Sequence, residues 1–192
     1  MKIKNVQVYG LEESIIRSGY PMQIGEPETI STCPEIDYDR GPKLERANKL
    51  AKSPIGSGHN NFLKGIIVQF DLCYPQYFTP QLQRYNWVDI VSSQSKMHKI
   101  MSKSLTQEDF TRPLPQIWLE HLNDLIKEKR FDELINELPC GYMQWMGIST
   151  NYLQLKTIYH QRKNHKLKDD WGYFCKWVEE LPLAKELIIC EK

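Results

Sequence analysis

Two hydrophobic periods share this chain, and few folds accommodate both. Lys4–Tyr9 alternates polar and apolar side chains, the period of a strand. Leu114, Ile117, Trp118, Leu122, Leu125 and Ile126 instead recur every three or four positions, the period of an amphipathic helix. The apolar run Ile66-Ile67-Val68-Gln69-Phe70 predicts a strand over Phe62–Leu72, and a Met- and aromatic-rich run predicts another over Tyr142–Ile148. Helices are expected at Leu11–Ser18, Lys43–Lys52, Leu114–Lys127, Asn151–Gln161 and Asp169–Glu180. Strands scattered among helices in this way predict an α+β fold, with a mixed or antiparallel sheet flanked by helices. A helical bundle or an all-parallel doubly wound sheet would show another pattern.

Punctuation supports the segmentation. Gly10 and Gly19 bracket the first helix, and Pro21, Pro27 and Pro34 make Tyr20–Asp39 an irregular loop. Thr106-Gln-Glu-Asp109 resembles a capping box, Leu138-Pro139 is a break, and Ser149 or Thr150 is the expected N-cap of the helix that follows. In the last helix Trp171, Phe174, Cys175 and Val178 should face inward, with Pro182 ending it.

The totals narrow the function. At 192 residues the chain is expected to form one domain, 1–192, large enough for a substantial core. A net charge of +1 creates no field that would draw the protein onto nucleic acid or an anionic membrane. Five scattered cysteines without a C-x-x-C pair read as free thiols of a reducing compartment, not as a disulfide framework or zinc site. His160 and His165 are five apart, off a common helical face, and no metal is expected. With no apolar window near the ~20 residues a membrane span needs and no secretory leader, the expectation is a cytoplasmic protein.

Chemistry concentrates in Gln81–Ser95, which combines Gln81, Arg84, Tyr85, Trp87 and three closely spaced serines. Amide and hydroxyl donors, a guanidinium and flat apolar surface suit a phosphorylated heterocycle. A Lys-bearing stretch, Lys96, Lys99 and Lys103, follows. By composition alone the bland reading is a surface turn and helix with ordinary polar decoration. Further on, Arg162 stands eleven positions after Asn151, three helical turns plus about 20°, so on a helix both would point one way about 16 Å apart. Leu155 and Ile158 fall on the same stripe. The bland reading there is an N-cap at Asn151 and a surface ion pair at Arg162. His59 follows the Gly56-Ser57-Gly58 turn, where a lone histidine is more often structural than catalytic. No P-loop, G-x-G-x-x-G or G-x-S-x-G occurs.

Taken in order, His59 ahead of a strand, Gln81-x-x-Arg84, Leu138-Pro139, Asn151 and Arg162 resemble the flavin-dependent thymidylate synthase family, over about His59 to Trp171. The departures are specific. Tyr85 and Asn86 stand where the family has a His and a second Arg, and Ser92-Ser93-Gln94-Ser95 replaces its Asn-Glu-x-Ser. Lys96-Met97-His98 replaces the Arg-Tyr that follows, and Ile135 replaces an Arg before the Leu-Pro. The resemblance implies methyl transfer to C5 of a deoxyuridine monophosphate-like pyrimidine nucleotide, with FAD, NADPH and methylenetetrahydrofolate as cofactors. It gives Arg162 the catalytic task of polarising the pyrimidine carbonyl and Gln81, Ser95 and Arg162 the substrate. Arg84 and Asn151 fall to the flavin, His59 to the folate and flavin side, and the assembly to a homotetramer. Arg84 and Arg162 are expected to border one pocket with Gln81, Ser95 and Asn151, either within one chain or across a subunit boundary. Loss of the Arg cluster opens an alternative, a non-catalytic nucleotide-binding protein on the same fold, and a third reading is a structural subunit. The apolar Tyr142–Met146 run and Trp87 are expected to be covered by another subunit.

Overall fold

The computed structural model describes residues 1–27 and 40–190. Its strands are β1 (Lys2–Tyr9), β2 (Ile67–Pro75), β3 (Asp89–Ser93) and β4 (Met143–Asn151). They form a four-stranded antiparallel sheet in the order β1-β2-β4-β3, flanked by helices, so the α+β expectation holds. Helices α1 (Leu11–Arg17), α2 (Arg40–Ala51), α3 (Thr79–Leu82) and α4 (Lys96–Lys99) precede α5 (Gln116–Lys127) and α6 (Phe131–Glu137). Two more, α7 (Tyr152–Arg162) and α8 (Tyr173–Glu179), follow β4. The loop expected over Tyr20–Asp39 begins with a 3-10 turn at Tyr20–Met22, and residues 28–39 lie outside the described residues. The chain divides into two compact units, Met1–Asn5 with Phe70–Ile148, and Val6–Gln69 with Ser149–Lys192.

In the first unit, α5 and α6 pack Leu119, Leu122, Leu125, Ile126 and Leu134 against Ile100, Leu105 and Phe110. The apolar spacing that predicted α5 is the face that it buries. Ile117 and Trp118, counted on that stripe, remain 78% and 46% exposed, because they sit in the first turn, ahead of the covered face. The capping box is present around the 3-10 turn Gln107–Asp109. Thr106 and Asp109 satisfy each other's groups there, and the Asp109 carboxylate also accepts from Lys103 Nζ at 2.9 Å. Burial works against ionising Asp109, but the Thr106 amide, the Lys103 ammonium and the Thr106 hydroxyl outweigh it and hold the carboxyl below its ordinary range.

In the second unit, α1 starts at Gly10, whose φ of 70° suits glycine. A side chain there would also meet the Gly65 carbonyl at 2.5 Å. Trp171, Tyr152, Phe174, Leu155, Ile158 and Val178 are essentially inaccessible and form the aromatic centre of this core. The inward set expected of the last helix (Trp171, Phe174, Cys175, Val178) is buried. Its entry differs, since Lys168–Gly172 is a π-helical turn and regular helix begins at Tyr173.

Three further local expectations need correction. The strand expected from Phe62 starts only at Ile67, because Asn61–Gly65 winds into a 3-10 turn that buries Leu63. Gln81–Ser95, read as turn and helix, contains edge strand β3; all five of its residues are exposed, so it lacks the alternation that marks a half-buried strand. Finally, β4 runs on through Ser149 and Thr150, and Asn151 itself caps α7. Its backbone is extended (φ −138°, ψ 166°) and its Oδ1 accepts from Gln154 N at 2.9 Å. Asparagine is among the best N-caps, whereas threonine is at home in a strand. Asn151 therefore lies before the helix and does not share a helical face with Arg162.

Candidate functional site

The first unit holds a cavity of about 370 Å³, and Ser95 lies on its wall. The local chain explains why. Beyond β3, Gln94 N donates to Trp145 O at 2.9 Å, while Gln94 Oε1 accepts from Trp145 N at 3.1 Å. The Gln144 amide adds a third bond, to Gln94 O at 3.0 Å. One side chain thus extends the β3–β4 pairing past its end and sets Ser95 as the half-buried residue leading into α4. Ser95 Oγ lies 2.8 Å from His98 Nδ1.

The cavity is basic. Lys2, Lys96, Lys99 and Lys103 line it, against Glu108 and Asp109. Two of the cations are committed, Lys96 to Gln76 Oε1 at 2.8 Å and Lys103 to Asp109. The ammonium groups of Lys2 and Lys99 make no hydrogen bond or ion pair among the described residues. The hydrogen bond from Lys103 to Asp109 raises the ammonium's pKa and keeps it charged. Burial pushes the Cys73 thiol up, against the pull of Lys2 and Lys4. Tyr142, also on the wall, is pushed up by burial and by the Asp109 charge. Trp145 adds a flat surface, with Lys4 Nζ 5.5 Å from its ring centroid. Uncommitted ammonium groups, a hydroxyl and an aromatic face can hold a phosphate and a planar base.

Gln81 and Arg84 belong to the same unit. Phe78, Leu82 and Tyr85 anchor α3 and the turn after it in the core, leaving Gln81 half-buried and Arg84 exposed. Arg84 has no hydrogen bond or ion pair among the described residues. The departures from the family pattern have structural counterparts. Tyr85, in the place of a His, is 8% exposed and part of the core. Ile135, in the place of an Arg, packs on the α5–α6 cluster. Asn86 is exposed and neutral.

The second unit carries the other candidates. His59 is exposed in the turn after Gly58. Asn151 is 4% exposed and spends its carbonyl oxygen on the cap, leaving its amide N–H groups for another partner. Arg162 closes α7 with its guanidinium carbon 4.6 Å from the centroid of the buried Trp171 ring. That cation–π contact holds the guanidinium over the ring. Sequence reasoning found Ser95 and noted Lys96, Lys99 and Lys103, but Lys2, Cys73 and Trp145 escaped it. They lie on different strands, and only sheet pairing brings them to one wall. Among the described residues no group of three His, Cys, Asp or Glu side chains could hold a metal ion, and no helix is long and apolar enough to cross a membrane.

No protein-family model matches the chain, and no curated protein matches it in sequence. Solved structures do match. Thymidylate synthase X of Helicobacter pylori, crystallised with FAD and dUMP, superposes with a TM-score of 0.76 at 14% identity, covering 99% of each chain. A second structure of the flavin-dependent thymidylate synthase from that organism, also with FAD and dUMP, gives 0.71 at 15% identity over 100% of each chain. The UMP/dUMP methylase PolB of Streptomyces cacaoi, bound to 5-Br dUMP, gives 0.62 at 11% identity, covering 98% of this chain and 95% of that one. With so little identity and such complete overlap, this chain has the fold of the flavin-dependent thymidylate synthases.

Proposed function

We propose that the protein transfers a one-carbon unit to C5 of a pyrimidine nucleoside monophosphate of the deoxyuridine monophosphate type. The observation that carries this reading is the end-to-end likeness to two synthase structures and to a methylase of the same fold, all holding a uridine-type monophosphate. The basic cavity supports it. Lys2 and Lys99 are uncommitted cations for a phosphate, Ser95 a hydroxyl for the nucleotide, and Trp145 a wall for the base. Gln81, half-buried, supplies an amide to the same ligand. Arg162, in the second unit, is assigned the pyrimidine carbonyl in the proposed homotetramer. A guanidinium there draws electron density toward the oxygen as C5 becomes nucleophilic, and its contact with Trp171 holds it in place beforehand.

FAD fits the remaining residues in part. Arg84 and His59 are exposed and uncommitted among the described residues, and Asn151 retains its amide donors, so each offers a group to hold it in the proposed homotetramer. A bound flavin would supply the reducing equivalents that turn a transferred methylene into a methyl, with NADPH and methylenetetrahydrofolate as sources of electrons and carbon. Tyr85 and Asn86 offer no cation to its phosphates, so flavin is expected to bind more weakly than the nucleotide. The burial of Tyr85 favours a second reading, a protein that holds the nucleotide without turning it over. A homotetramer and a cytoplasmic location complete the proposal.

Calorimetric titration with dUMP, UMP and FAD tests it. The protein should bind a uridine monophosphate, and Arg162→Ala should lose about 1.5–3 kcal/mol, roughly ten- to a hundredfold in affinity. Tritium release from C5-labelled dUMP then separates turnover from holding. The reading fails if no pyrimidine monophosphate binds, or if Arg162→Ala binds it unchanged.

A further inference from the structure

A buried cation lies outside the residues assigned to ligand binding. Lys156, on α7, is 5% exposed; its Nζ donates to the Ala51 carbonyl and to Cys190 Sγ, 3.2 Å away. No carboxylate pairs with it among the described residues. Cys190 donates to the Glu186 carbonyl at 3.3 Å and is half-buried, within reach of a small oxidant. Its backbone is in the left-handed region, φ 51°, directly after the π-helical turn Lys185–Ile189. A non-glycine residue keeps that conformation only where its surroundings impose it. Here the surroundings are the buried Leu187, Ile188 and Ile189. Amine and thiol are therefore held together from both sides, the one by burial and the other by backbone.

We propose that Lys156 and Cys190 are a redox cross-linking pair, joined under hydroperoxide by a covalent Nζ–Sγ sulfenamide bond. In the first step the Cys190 thiol is oxidised to a sulfenic acid as hydrogen peroxide is reduced to water. In the second, Lys156 nitrogen attacks that sulfur, the N–S bond forms, the S–OH bond breaks and water leaves. Starting from the ammonium, the amine gives one proton to the leaving hydroxide and one to solvent. A sulfenic acid beside a nitrogen nucleophile condenses in this way, and thiols reverse it. One N–H survives on Nζ and can keep its bond to Ala51. The product ties α7 to the segment after Lys185–Ile189.

The full chain is treated with hydrogen peroxide, quenched, digested with trypsin without reductant and analysed by mass spectrometry. The expected product joins the Lys156 and Cys190 peptides at about 2 Da below their summed mass. Cleavage after residue 156 is lost, and dithiothreitol restores both. Cys190→Ser should abolish the product while leaving the fold intact. Lys156→Gln, if it folds, should carry Cys190 as sulfinic acid under the same dose. Cys190 recovered as sulfinic acid or disulfide in the parent protein, with cleavage after Lys156 retained, overturns the proposal. So does a Cys190 that peroxide leaves as the thiol. Neither result depends on whether a nucleotide binds.

Discussion

Asp109 shows what a single carboxylate does in this chain. It accepts from the Thr106 amide, the Thr106 hydroxyl and Lys103, and its side chain is 17% exposed. Because its folded pKa lies below the ordinary value, its stabilisation is present above the unfolded pKa of about 3.9 and is lost as pH falls through the folded one. Asp109→Ala should cost about 0.5–2 kcal/mol at neutral pH, read by urea melts. The gap between parent and variant should close below about pH 4. Cysteines give a second prediction at this scale. Burial, with the Glu179 charge, pushes the Cys175 thiol up to about 11, with Arg162 opposing. Cys140 is exposed. Maleimide at neutral pH should modify Cys140 and leave Cys175 untouched until the protein is unfolded, as peptide mapping would show.

Among the elements, α7 separates structural from functional roles. Asn151 was expected on its face and is found at its cap, so two tasks compete for one side chain. Asn151→Asp keeps a good capping oxygen but removes the amide donors, whereas Asn151→Ala removes both. The alanine variant should lose about 0.5–2 kcal/mol of stability and the aspartate variant much less. If Asn151 also serves a flavin, both should lower FAD affinity in titration. An unchanged affinity in both would leave Asn151 a cap alone. Edge strand β3 raises a different issue. Trp87 just before it is 57% exposed and Val91 within it 67%, a run of apolar surface on an unpaired sheet edge.

For the whole molecule that edge is the motive for expecting assembly. Light scattering at micromolar concentration should report a mass above the 22.7 kDa of one chain. Val91→Lys, which places a charge on the exposed edge, should shift the mass toward the monomer without lowering the melting temperature. A parent protein that runs as a monomer would remove the motive. The Tyr142–Met146 run adds less to this expectation than its composition suggests, since Met146 is already 2% exposed within its own chain and Tyr142–Trp145 are half-buried.

What the sequence determined by itself is what short-range physics encodes. The helical period of Leu114–Ile126, the alternation of Lys4–Tyr9, the Thr106–Asp109 box and the inward set Trp171, Phe174, Cys175 and Val178 each rest on neighbours within a few positions. The order and spacing of His59, Gln81, Arg84, Asn151 and Arg162 were enough to point to the fold, because that order follows the order of its elements. Tertiary structure alone decided the rest. β3 exists because β4 pairs with it and Gln94 carries that pairing past its end, and its exposed side chains carry no period to read. Of the two sequence readings of Asn151, on the helix face or at its cap, the structure decides for the cap because β4 continues past Ile148. The basic cavity gathers Lys2, Cys73, Ser95 and Trp145 from far-separated positions, and only the pairing of strands brings them within reach of one ligand.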